Sequence, residues 1–132
     1  MKYMLDTNIC IYLINGHPDT VRQHFARYDV EDIAISSIVA GELYYGTAKS
    51  GSKKNFFALE AFLNEFEILP FERIEAIRTG ELRAFLAQKG SPIGPYDVQI
   101  AAHALTQELT LVTNNEREFR RVPGLKIENW IA

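Results

Sequence analysis

Asp6, Glu42 and Asp97 are carboxylates standing where the local apolar pattern calls for hydrophobic residues. Asp6 closes the run Tyr3-Met4-Leu5, which reads as a short buried strand. Glu42 shares a helical stripe with Ile38 and Tyr45, and Asp97 shares one with Ala101, Ala104 and Leu105. Ionised carboxylates buried apart from one another are costly. Brought together, they repel and raise each other's pKa unless a cation neutralises them. A hard divalent ion, Mg²⁺ or Mn²⁺, does this and favours oxygen ligands. The chemistry that follows is metal-dependent attack on phosphate esters.

Each acid also has a structural role open to it. Asp6 begins Asp-Thr-Asn ahead of a helix and can serve as an N-cap or Asx-turn. Thr7 or Asn8 could cap instead, leaving Asp6 for metal. Glu42 could snorkel, but no base stands at positions 38, 39, 45 or 46, and Lys49 is too far along the helix to pair with it. Asp97 falls in a first turn, where the helix dipole stabilises an anion, yet its alanine-rich stripe would let another element approach closely. Thr113-Asn114-Asn115 could simply end a strand, or a neutral amide there could orient a water. Glu118 could lie in a solvated turn or join the acids. Arg117, Arg120 and Arg121 form the tightest basic cluster, suited to a phosphate backbone or to a solvated face. Tyr44, Tyr45 and Tyr96 flank the acids and could stack on an unpaired base or pack at a rim. His17, His24 and His103 lack metal-ligand spacing.

These side chains need a scaffold, and the apolar pattern supplies one. Lys2–Leu5, Ile33–Ser36, Glu67–Leu69, Thr110–Thr113 and Lys126–Glu128 read as strands. Asn8–Asn15, Pro18–Tyr28 and Ser37–Ser50 read as helices, the last capped by Ser36 or Ser37. Leu59, Phe62, Leu63 and Phe66 form one helical stripe, and Ile74, Ile77, Phe85 and Leu86 another. Two prolines and two glycines make a loop of residues 90–95, and a helix follows from about Tyr96 to Glu108. Strands alternating with helices predict an α/β architecture with a mostly parallel sheet whose ligands bind beyond the strands' carboxyl ends. Asp6 falls at one such end, and Asn114 and Asn115 at another.

At 132 residues the chain suits one domain with a proper core. It has no apolar run long enough to span a bilayer, and Met1-Lys2-Tyr3-Met4 lacks a signal-peptide layout, which predicts a cytoplasmic protein. Cys10 is the only cysteine and is expected to pack as a small hydrophobe. The net charge of −3 weighs against a broad non-specific DNA binder. Setting aside Asp6, Glu42, Asp97 and Glu118 leaves 13 acids against 14 bases, so a phosphate-rich substrate stays open.

Four blocks carry a resemblance: Met4-Leu5-Asp6-Thr7-Asn8; Ser36-Ser37-Ile38-Val39-Ala40-Gly41-Glu42-Leu43; Gly94-Pro95-Tyr96-Asp97-Val98-Gln99-Ile100-Ala101-Ala102; and Leu111-Val112-Thr113-Asn114-Asn115, followed by Glu118-Phe119. In this order, across almost the whole chain, the sequence resembles the PIN-domain family and, within it, the VapC toxins of bacterial toxin–antitoxin pairs. The resemblance implies a single PIN domain over residues 1–132, an α/β fold with a central five-stranded sheet ordered 3-2-1-4-5 between helices. It implies an Mg²⁺- or Mn²⁺-dependent endoribonuclease with Asp6, Glu42 and Asp97 as catalytic, metal-binding acids. The fourth family acid often follows the threonine of the last block by two positions, where this chain has Asn115; Glu118 could compensate. Thr7, Asn8, Thr113, Tyr96 and the arginines 117, 120 and 121 are the residues expected to meet substrate. VapC toxins typically cut structured RNA, often a tRNA anticodon stem-loop, with initiator tRNA the leading candidate here. They usually dimerise, are blocked by a VapB antitoxin and reach operator DNA only through it.

Other acid-based classes fit less well. A haloacid-dehalogenase phosphatase needs a second Asp two residues after the first, and position 8 is Asn. A response-regulator receiver needs an acidic pair near the first strand and a lysine after the last, and has neither. The remaining alternative is a degenerate PIN domain that holds RNA or a partner without cutting, a reading that Asn115 favours.

Overall fold

Short aliphatic and β-branched runs become five strands: β1 (Tyr3–Leu5), β2 (Ile33–Ser36), β3 (Glu67–Leu69), β4 (Thr110–Val112) and β5 (Ile127–Glu128). The computed structural model describes residues 1–131. The strands form one sheet in the order β3-β2-β1-β4-β5, with every pairing parallel. β2 is buried at all four positions, as expected for a parallel strand covered on both faces. Around the sheet run α1 (Thr7–Asn15), α2 (Asp19–Phe25), α3 (Ser37–Ser50), α4 (Lys53–Leu63), α5 (Arg73–Gln88), α6 (Pro95–Thr106) and α7 (Glu116–Phe119). None of the described helices is long and apolar enough to cross a membrane.

Three junctions position the functional side chains. β1 lies between β2 and β4, so the chain leaves the sheet in different directions from neighbouring strands just beyond Leu5. This is where ligands gather in open parallel sheets. Asp6 caps α1 there, and its backbone N–H donates to the carbonyl of Val112 at 3.0 Å, tying it to the end of β4. Ser36 ends β2 and caps α3. Pro95 occupies the first position of α6, where its missing N–H is no loss, and Asp97 follows in the same turn. Met4, Leu5, Ile35, Ile100, Leu111 and Val112 form the core beneath, and Cys10 joins it fully buried.

Several sequence expectations need correction. α2 stops at Phe25, short of Tyr28, and α6 starts at Pro95 and stops at Thr106, because Glu108 takes a left-handed backbone (φ 57°) that ends the helix. Thr113 lies just beyond β4, though it is buried. Phe66 belongs to the turn before β3 and is still part of the core. Of the expected stripe on α5, only Leu86 is buried: Ile74 is 61% exposed, Ile77 58%, and Phe85 is also exposed. The row Glu75, Thr79, Leu82, Leu86 is sheltered instead, because α5 lies antiparallel on α6 and its first turn meets α6's end through a Gln107–Glu75 hydrogen bond. Likewise α3 turns Val39, Ala40 and Leu43 into the core, while Ile38, Glu42 and Tyr45 line a groove. Glu42 therefore replaces no core residue.

Candidate active site

Asp6 is 6% exposed, and each of its oxygens has a donor. Oδ1 accepts the Ile9 N–H at 3.0 Å, the N-cap bond of α1, and Oδ2 accepts the Thr113 hydroxyl. The capping and functional readings of Asp6 are thus compatible, since the cap uses one oxygen. The Thr113 oxygen in turn accepts the Asn115 N–H at 2.9 Å, so its proton points toward Asp6. Asn115 extends the chain further, its side-chain amide donating to Glu118 Oε2 at 3.2 Å. Glu118 lies close enough to Asp97 to raise its carboxyl. Across the groove, Thr7 donates to Glu42 Oε1 at 2.7 Å. Two of the residues expected at the substrate, Thr7 and Thr113, thus spend their hydroxyl protons orienting acids.

Burial and like charge both act on these carboxyls. Desolvation pushes Asp6 up to about 6, with the charge of Glu42 adding to the rise and the bonds from Thr113 and Ile9 opposing it. Asp97 rises to about 7, first from desolvation, then from the bond to Glu118 and its charge, then from Asp6 and Glu42. Asp97 thus feels the other three acids. A Cβ at Gly94 would stand 3.4 Å from Asp97 Oδ2, so glycine at that N-cap leaves the carboxylate room.

No basic side chain answers this charge: the one ion pair among the described residues joins Arg120 to Glu116 at 3.0 Å on the surface. Arg121 donates to the Pro92 carbonyl at 2.9 Å, while Arg117 is exposed and unpaired among the described residues. The arginine cluster is therefore not a single converging patch. Asn8 is exposed beside Asp6, and Tyr96 lies on the groove with Glu42.

The donor set is all oxygen, as a hard divalent cation requires. Among the described residues no three His, Cys, Asp or Glu side chains stand ready-gathered around one ion.

Sequence reasoning missed three features nearby. His103 is fully buried, its Nδ1 2.8 Å from Ser36 Oγ, the cap of the helix carrying Glu42. Asn114 donates to the Tyr12 hydroxyl at 3.1 Å, bracing the β4 end against α1. Glu75 is buried in α5 as half of a capping box with Glu72, and the spacing of those two acids was the available signal.

Comparison with known proteins places this arrangement. The PIN domain family model matches residues 3–125. The chain is 46% identical over 131 residues to the tRNA(fMet)-specific endonuclease VapC of Salmonella typhimurium, with 98% of each chain covered. It is 49% identical over 132 residues to ribonuclease VapC2 of Rickettsia felis, again with 98% of each covered. A chain in the crystal structure of DNA-bound VapBC from Salmonella typhimurium matches with a TM-score of 0.90 at 45% identity over 98% of both chains. Sheet order and full-length likeness agree: the chain belongs to the PIN domain family, in its VapC branch.

Proposed function

We propose that this chain is the toxin of a toxin–antitoxin pair, a metal-dependent endoribonuclease that hydrolyses phosphodiester bonds in structured RNA. Its substrate is the anticodon stem-loop of initiator tRNA, in keeping with the name of the Salmonella relative. It works in the cytoplasm as a homodimer that a VapB-type antitoxin silences, and it reaches operator DNA only through that antitoxin. The observation that carries this reading is Asp6, buried at the sheet's carboxyl edge and near enough to Glu42 and Asp97 for their charges to act on one another, with no ion pair to any of the three among the described residues.

In this mechanism Asp6 and Asp97 would hold the cation, with Glu42 beside them. When bound, Mg²⁺ or Mn²⁺ supplies Lewis-acid stabilisation of charge developing on the phosphate and makes water easier to deprotonate. Thr113 and the Ile9 N–H keep Asp6 aimed, so its geometry is set before substrate arrives. Glu42, steadied by Thr7, takes the proton of the attacking water. Asn115 serves as a neutral clamp on Glu118, whose carboxylate bears on Asp97. Asn8 and Tyr96 face the RNA, with Thr7 and Thr113 behind them holding Glu42 and Asp6, and exposed Arg117 meets its backbone from the α7 side.

The test is incubation of the purified protein with total tRNA in Mg²⁺, in Mn²⁺ and in EDTA, with the fragments sequenced. Cleavage confined to the initiator anticodon stem-loop, lost in EDTA and lost in Asp6→Asn, is the expected result. Cleavage that persists in EDTA would remove the metal from the mechanism. Asn115 in place of an acid favours a second reading, an RNA-holding domain that does not cut, which would leave tRNA bound and whole in the same assay.

A further inference from the structure

Tyr44 and Tyr45 are neighbours on α3 with different surroundings. Tyr44 gives its hydroxyl proton to Glu60 at 2.7 Å and packs 6.2 Å from the Phe56 ring, so it braces α3 against α4. Tyr45 is 66% exposed, and Tyr96, in the first turn of α6, is 56% exposed. Neither ring stacks on another aromatic side chain among the described residues. Both line one groove of about 710 Å³, together with Thr7, Ile38, Gly41 and Glu42. Exposed aromatic rings on a groove mark a place where something else is bound.

The chemistry of the groove narrows the occupant. Glu42 and Thr7 form one wall, so whatever enters lies beside the acids. Aromatic faces and the Ile38 side chain offer a flat apolar surface without a basic residue, which suits a planar uncharged ring better than a phosphate. A Cβ on Gly41 would meet nothing within 4 Å, so the glycine leaves the space above α3 open. Every nucleobase has a face that can stack on such a ring, and only unpaired bases have it free.

We propose that Tyr45 and Tyr96 form the platform on which an unpaired base of the RNA stacks, beside the phosphate presented to Asp6, Glu42 and Asp97; this rests on the nuclease reading above. The platform would select loops over duplexes, because a base inside a helix is already covered on both faces. Selection then comes from a splayed base next to the cut and needs no sequence-reading hydrogen bonds.

The experiment uses the full chain with Asp6→Asn, so the RNA stays whole, and the anticodon stem-loop of initiator tRNA with an abasic nucleotide walked through the loop. Binding is read by fluorescence anisotropy. Tyr45→Ala and Tyr96→Ala are each expected to weaken binding of the intact stem-loop on the order of 5- to 100-fold, while Phe at either position is tolerated. At one loop position the abasic RNA should bind the Tyr and Ala proteins alike. Gly41→Leu, which puts a side chain into the open space of the groove, should mimic the alanine variants. Equal losses on intact and abasic RNA at every position, or Phe as damaging as Ala, would overturn the platform. So would unchanged RNA binding alongside weakened antitoxin binding, which would give the groove to a protein partner. Wild-type cleavage of the same stem-loop in Mg²⁺ is run beside it: absent cleavage counts against the nuclease reading, whereas the abasic comparison judges the platform by binding alone.

Discussion

Two carboxylates are nearly inaccessible in this fold, and their surroundings differ in kind. Glu75, 1% exposed, sits between α5 and α6 with one oxygen accepting the Glu72 N–H at 2.8 Å and the other the Gln107 amide at 3.4 Å. It closes the first turn of its helix and joins two elements. Asp6 is just as well supplied with donors, yet it stands at the sheet's carboxyl edge in the field of Glu42 and close enough to raise Asp97. Burial and satisfied hydrogen bonds therefore do not distinguish a structural acid from a functional one. What distinguishes them is uncompensated like charge: Asp6 belongs to a group that the protein alone leaves unneutralised.

The sharpest way to break this contrast is to neutralise Asp6 while keeping its hydrogen bonds and to delete those of Glu75. Asp6→Asn keeps an N-cap residue as good as Asp and removes a charge that is costly to bury, so stability at neutral pH should not fall by more than about 1 kcal/mol and is expected to rise. Cleavage should fall by at least about 10³-fold, the scale of several kcal/mol that a metal-bound phosphate gains. Glu75→Ala should do the reverse, costing about 1–3 kcal/mol through the donors it strands while leaving the rate per folded molecule unchanged. Thermal unfolding beside cleavage kinetics on both variants reads the outcome. If Glu75→Ala lost rate without losing stability, the two acids would not be different in kind.

Titration probes the same contrast more gently. Asp6 at about 6 and Asp97 at about 7 lie above the ordinary value of about 3.9 expected in the unfolded chain. Between those values the folded protein holds protons that the unfolded chain has released. Metal-free stability should therefore fall as pH rises from about 4 through 7. Asp6 contributes at most about 2–3 kcal/mol to that fall, and half-buried Asp97 less, because solvent screens it. Mg²⁺ at neutral pH should restore about 2.7 kcal/mol when present at a hundred times its Kd. Melting curves across this range, with and without Mg²⁺, test both signs. Asp6→Asn should flatten the slope and Glu75→Gln should not; an unchanged slope in Asp6→Asn would mean that Asp6 is already compensated.

The acids of the active edge were legible because their signals are local. Asp6 follows an apolar run and opens a helix, and Asp97 follows a Gly-Pro start to one, so three or four residues suffice to place each. The strands and most helices were legible for the same reason, while the sheet order came through the family resemblance. Glu75 was not legible as a buried acid: Ile74 and Ile77 made the opposite face of α5 look like the core side, and only packing on α6 decides otherwise. Nor could Thr7 and Thr113 be read as orienting groups. Their hydroxyls reach partners 35 and 107 residues away along the chain, and a threonine carries no mark of such a partner.

Asn115 lies between the two kinds of residue and gives the smallest effect. It carries no charge to add to the cluster, but its amide donates to Glu118, whose carboxylate raises Asp97. A clamp of this sort acts through another residue, so Asn115→Ala should slow cleavage only about 10- to 150-fold, the scale of the roughly 1.5–3 kcal/mol of a hydrogen bond to a charged group. Asn115→Asp is the more telling variant. It restores an acid beside Glu118 without the donor, adding repulsion where Asp97 is already hard to ionise, so activity at limiting Mg²⁺ should drop and recover as Mg²⁺ is raised. A clamp predicts that Ala and Asp both weaken the wild-type rate at low Mg²⁺ and differ in how much Mg²⁺ repairs. If Asn115→Asp were instead faster than wild type at every Mg²⁺ concentration, Asn115 would be a missing ligand rather than a positioning residue.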